Sequence, residues 1–196
     1  MHFTSWVFPK GHRIRLAVNN AQWPMVWPTP HAMTTSLRVG GTDGSRLELP
    51  VVRNGKGTAP VFLPPVEDPE LAGFRNLEYE TVSGYAEIRT IVRDQREATT
   101  TVTATNSGAD EMPWGVLRYE EKIVHEARDR EPANASVQTR YAITLEQGQR
   151  RLTWEGVMEL RSDAQYFHYD YTRKLSESGR VVREKHWKEA IPRDFH

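Results

Sequence analysis

Apolar and polar residues alternate with a period of two along most of this chain. No eleven-residue window holds the i, i+3, i+4, i+7 apolar stripe of an amphipathic helix. The expected fold is all-β: an antiparallel β-sandwich or partial jelly roll followed by a long-stranded antiparallel meander. The alternation predicts strands at residues 12–20, 33–40, 45–52, 76–82, 85–94, 97–105, 115–125, 136–146, 150–160, 165–175 and 180–190. Residues 53–74 interrupt it with RNGKGTAPVFLPPVEDPELAGF, where Pro60, Pro64, Pro65 and Pro69 exclude a central strand and Gly55 and Gly57 permit turns. Shorter breaks fall at SGADEMPWG (107–115) and EARDREPANA (126–135). The chain divides into an early strand group at 1–60, a Pro/Gly-rich crossover at 61–75 and the meander at 76–196, packed together or continuous as one β domain. Its 196 residues can bury a core without staples.

Short turns fix register, so the last four strands can be aligned. A turn at Gln147-Gly148 sets Ile143 opposite Leu152, Tyr141 opposite Trp154 and Val137 opposite Met158. A turn at Ser162-Asp163 sets Met158 opposite Phe167 and Trp154 opposite Tyr171. It leaves Gly156 between Thr139 and Tyr169, where aromatic rings can lie over it. A three-residue loop, Glu177-Ser178-Gly179, sets Leu175 opposite Val181 and Tyr169 opposite Trp187. All three turns place apolar residues on one face. They also put Arg140, Glu155, Asp170 and His186 in one row on the other face. That row reads as a charged ladder, with Arg140 neutralising Glu155 and His186 neutralising Asp170. The sharper reading is a metal or proton-sharing site.

Lys plus Arg and Asp plus Glu number 26 each, so no net field draws the chain to nucleic acid or an anionic membrane. No cysteine is present, which removes disulfides, thiol nucleophiles and zinc-thiolate sites and is compatible with a reducing cytoplasm. No export signal and no apolar run of membrane-spanning length is found. A cytoplasmic chain without a cofactor is the expectation.

Enzymatic signatures are lacking. Serine lies beside glycine in VSGYA, DGSRL and NSGAD, but none completes G-x-S-x-G. HEARD at 125–129 lacks the second histidine of H-E-x-x-H, and no phosphate-cradling glycine loop occurs. Trp23 and Trp27, each followed by proline, can stack on a sugar or apolar ligand or can cap the end of a β-sandwich. Glu121 shares the parity of Leu117, Tyr119 and Ile123, so a carboxylate on an apolar face wants an arginine or an interface.

FPKGHRIRLAVNNAQWP (8–24), WPTP (27–30) and SRLELPV (45–51) together resemble the C-terminal jelly-roll, galactose-binding-like region of the X-Pro dipeptidyl-peptidase and cocaine-esterase hydrolases, the CocE/NonD family. REPANASVQTRYAITL (130–145) and KHWKEAIPRDF (185–195) are similar, more loosely, to an antiparallel extension in some members. The resemblance implies late jelly-roll strands at 1–60 and a parent serine hydrolase that cuts after Xaa-Pro or hydrolyses esters and amides. The family's catalytic serine, aspartate and histidine lie in an α/β-hydrolase domain that precedes this region, and no position here corresponds to them. The early jelly-roll strands have no counterpart either. The implied chain is a non-catalytic module: a fragment, a split subunit or a mis-started frame. Its partner is an α/β-hydrolase domain or subunit, or a homo-oligomer formed through unpaired strands. The alternative is a stand-alone small-ligand or carbohydrate-binding β-sandwich.

Overall fold

The structure, a computed structural model, describes residues 7–19, 22–50, 61–64, 69, 71–81 and 83–194. Eight antiparallel strands form one sheet, and the described residues contain no helix, so none is long and apolar enough to cross a membrane. They are β1 (Arg75–Tyr79), β2 (Glu87–Asp94), β3 (Thr99–Met112), β4 (Gly115–Arg128), β5 (Ser136–Gln147), β6 (Arg150–Ser162), β7 (Tyr166–Glu177) and β8 (Arg180–Pro192). From β3 to β8 each strand pairs with the next in sequence, the meander that the alternation predicts. β1 and β2 both pair with the outer side of β3, β1 with residues 108–111 and β2 with residues 99–105. They act as one interrupted strand. Asn106 closes the interruption, accepting from Thr81 Oγ1 at 2.8 Å and donating to the Gly84 carbonyl at 2.9 Å.

The expected break at 107–115 shrinks to a two-residue turn, Pro113-Trp114, because Met112 pairs with Gly115 and β3 runs straight through Gly108. That glycine is a close-approach site: a Cβ there would strike the Tyr119 ring of the neighbouring strand.

The loops between the last strands differ from those expected, and each moves register by an even number of residues. Gly148-Gln149 is the first turn, with Gly148 at φ 59° in the first central position that a type II′ turn reserves for glycine. Ile143 therefore meets Trp154, two residues on from Leu152. A longer loop follows Ser162, which pairs with Phe167, so Trp154 meets Leu175, four residues on from Tyr171. Ser178 and Gly179, at φ 49° and 83°, make a two-residue turn of type I′ sign. The register then slips by one residue next to Ser176, and Leu175 meets Arg183. Side chains repeat every two residues, so even shifts leave side chains on their expected faces; before the slip the shift is odd, and Val181 pairs with Ser176 instead of Leu175 and changes face.

One face carries Tyr141, Trp154, Tyr171, Trp187 and Phe167; the other carries Thr99, Thr101, Thr103 and Thr105 of β3 and most of the charge. Among the described residues, no full second layer covers the aromatic face. The buried apolar residues are Val102, Ala104, Ala109 and Ala135, and no large described side chain is fully buried.

No strand forms among the described residues of 7–50, where only the bridge Gln22↔Val26 occurs, so the expected strands at 12–20, 33–40 and 45–52 are corrected, in their described residues, to chain without strand structure. Alternation supplies a face but not a partner, and a lone strand leaves its ladder groups to water. Ile14, Leu16 and Val18 are each more than 50% exposed. Residues 20, 51–52 and 82, at the ends of expected strands, and parts of the 61–75 crossover lie outside the described residues.

Gly156 faces Tyr141 on β5, whose ring lies where a glycine Cβ would be; that ring is held by hydrogen bonds at its hydroxyl. Gly156→Ala should destabilise the sheet by about 1–3 kcal/mol through overpacking. In a Tyr141→Ala background the same change should cost nothing, which a denaturant-midpoint double-mutant cycle checks.

Candidate functional site

Residues 22–28 form a tight turn that presses two indoles onto the aromatic face. The bridge Gln22↔Val26 closes it, with Val26 N donating to the Gln22 carbonyl at 2.8 Å. Trp23 packs edge-on to Trp27 at 5.1 Å and to His125 of β4 at 5.8 Å, and Trp27 packs edge-on to Phe167 of β7 at 5.4 Å. Trp27 Nε1 donates to Ser162 Oγ at 2.9 Å, whereas Trp23 Nε1 is buried without a hydrogen-bond partner. Ser162 Oγ in turn donates to the Ala133 carbonyl and accepts from Ala135 N at 3.3 Å.

Arg193, only 6% exposed, locks this corner. Its guanidinium donates to the carbonyls of Asp163 (2.7 Å), Ala133 (3.1 Å) and Pro28 (2.7 Å), and lies 4.8 Å from the centre of the Phe167 ring. Its backbone N donates to the Gln165 carbonyl at 2.9 Å. One side chain therefore joins the tryptophan turn, the β4–β5 loop, the β6–β7 loop and the end of β8. Burial pulls its pKa down from the usual arginine value, an effect that Asp163 opposes.

Asp163 caps the β6–β7 loop. His168 Nε2 lies 2.6 Å from its Oδ2, and Oδ1 accepts from the backbone N of Gln165 and Tyr166 at 2.7 and 2.8 Å. These bonds, the one from His168 foremost, lower its pKa to about 2. His125, half-buried beneath Trp23, has its pKa lowered by burial.

A second cluster occupies the middle of the aromatic face. Trp154 Nε1 donates to Tyr141 Oη at 2.9 Å, and Tyr141 and Tyr171 share a hydroxyl hydrogen bond of 2.9 Å. Burial, then the Tyr141 hydroxyl, raises the Tyr171 phenol above its usual range. Tyr171 stacks on Trp187 at 5.2 Å. The Arg173 guanidinium lies 4.4 Å from the Trp154 ring centre and 5.6 Å from that of Trp187, within cation–π range of both.

Arg140, Glu155, Asp170 and His186 share the charged face but not a row. Arg140 meets Val157, Glu155 meets Ala142 and Lys174, Asp170 meets Glu159 and Lys188, and His186 meets Thr172. The register shifts that preserve faces pull such rows apart. Only the diagonal contact of His186 Nε2 with Asp170 Oδ1, at 2.8 Å, remains of the expected ladder. Arg140 and Glu155 line a shallow depression with Glu120 and Lys122. No group of three metal-ligating side chains occurs among the described residues. Glu121 meets Asn106 and Tyr141 and has no ion-pair partner among the described residues.

The hubs Ser162, Arg173 and Arg193 were not marked by spacing. Their roles depend on loop closures and cross-strand neighbours that alternation does not encode. Comparison with family models, curated proteins and solved structures returns no match.

Two titrations act on the locked corner. A folded pKa below the unfolded one means that stability is present above the unfolded value and is lost as pH falls through the folded value. His125 therefore weakens the corner as pH drops below its usual 6.5, and Asp163 does so from 3.8 toward about 2. Tryptophan fluorescence should report two acid stages of loop release. His125→Phe should abolish the upper stage alone, and Asp163→Asn the lower alone.

Proposed function

We propose that this chain is a non-catalytic β module that assembles with, and supports the active site of, a serine hydrolase of the X-Pro dipeptidyl-peptidase and cocaine-esterase kind. The observation that carries this reading is incompleteness. The aromatic face has half-exposed Tyr141, Trp154, Tyr171 and Trp187 and, among the described residues, no full second layer, while the strand-like segment 12–18 turns Ile14, Leu16 and Val18 to solvent. Surfaces of this kind mark an interface. The motifs at 8–24, 27–30 and 45–51 resemble segments that, in those hydrolases, follow an α/β-hydrolase domain. The partner is such a domain or subunit, and the absence of cysteine fits a cytoplasmic setting.

The alternative, sugar or small-ligand binding by Trp23 and Trp27, is less favoured. Both rings are engaged edge-on by His125, Phe167 and each other, and Trp27 Nε1 is committed to Ser162.

The purified chain should leave chromogenic esters and Xaa-Pro amides untouched and take no serine-directed phosphonate label. Mixed with an α/β-hydrolase domain of that family prepared without its C-terminal β region, it should co-elute and raise the domain's activity. Covalent labelling of any serine in this chain, or failure to co-elute, overturns the reading.

A further inference from the structure

The two edges of the sheet differ. β1 and β2 share one edge, which is interrupted between Tyr79 and Glu87 and shifted in register between Asn76 and Glu78 and between Ile88 and Thr90. Such irregularities blunt an edge against further pairing. β8 forms the other edge: among the described residues its thirteen residues pair with β7 alone, and they are exposed everywhere except at half-buried Trp187. Its only register slip lies near its start.

A strand that meets a second copy of itself across a two-fold axis normal to the sheet pairs antiparallel. The faces match only when each residue meets one of its own parity. Centring the axis on His186, within the regular part of β8 beyond the slip, sets Arg183 opposite Glu189 of the second copy, Glu184 opposite Lys188, Lys185 opposite Trp187 and Val182 opposite Ala190. Between Arg183 and Glu189 every arginine, lysine and glutamate then meets an opposite charge or an indole, and Val182 meets Ala190. The neighbouring registers fail this test. Centring on Lys185 apposes two lysines and sets Val182 against Lys188, whereas centring on Trp187 sets Arg183 against Ile191 and His186 against Lys188.

We propose that the chain forms a two-fold homodimer by pairing β8 with β8 about His186. The dimer joins the two sheets edge to edge, with cross-strand ion pairs setting the register and the main-chain ladder supplying the contact. It goes beyond the hydrolase reading and is independent of it, since β8 is an edge and the hydrolase partner is assigned to a face.

The test is sedimentation equilibrium on the full chain and on charge-reversal variants. Wild type at about 100 μM should show twice the 22.6 kDa chain mass. Arg183 and Glu189 face Leu175 and Tyr169 within their own chain, so reversing either leaves the monomer's own charge pairs intact. Arg183→Glu or Glu189→Arg places like charges together twice by symmetry and should weaken the dimer at least about tenfold. The double variant R183E/E189R restores the pairing and should restore the dimer, which separates a register effect from misfolding. A wild-type monomer overturns the proposal, as does a dimer indifferent to the single reversals or a double variant that stays monomeric.

Discussion

A single sheet has two faces, and one of them here is aromatic with too little to cover it. The rest of the structure answers to that constraint. Among the described apolar residues only small ones are deeply buried, so stability rests less on a packed interior than on ladder hydrogen bonds and cross-strand contacts. The half-exposed aromatic side chains satisfy one another laterally, through the Trp154–Tyr141–Tyr171 hydrogen bonds and through Arg173 lying between two indoles. Tyr141 also covers Gly156, a strand position that otherwise leaves backbone bare.

Where the face is covered, at the end where β5 and β7 begin, the cover comes from the tryptophan turn and is held by Arg193. Three backbone carbonyls from separate loops accept from that guanidinium. The lock thus depends on loop geometry and opens if any of the joined segments moves. This explains why the acid-sensitive groups His125 and Asp163, both at this corner, bear on the same contact.

Fold class, strand count from residue 75 onward and the faces of the aligned strands, apart from Arg180 and Val181, were legible in the alternation, because parity survives an even register shift. The registers were not. They depend on whether Gly148 is the first or second residue of its turn, on the length of the loop after Ser162 and on one slip beside Ser176. The charged row of Arg140, Glu155, Asp170 and His186 failed for that reason, since a row needs register and a face needs only parity. Residues 12–18 show the opposite limit. Their alternation is strong, but a strand exists only with a neighbour, and none is present among the described residues. Arg193 was invisible because nothing in local patterning announces a buried arginine satisfied by carbonyls from distant loops.

These features describe a module with one latched corner, one open face and one long, self-complementary edge. In the proposed role, the open face is the interface for an α/β-hydrolase domain. Hydroxyl-radical footprinting of Tyr141, Trp154, Tyr171 and Trp187 tests this most directly. All four should be readily modified in the isolated chain and strongly protected once a stoichiometric α/β-hydrolase domain is added, with Trp27 unchanged. Equal modification with and without that domain would contradict it.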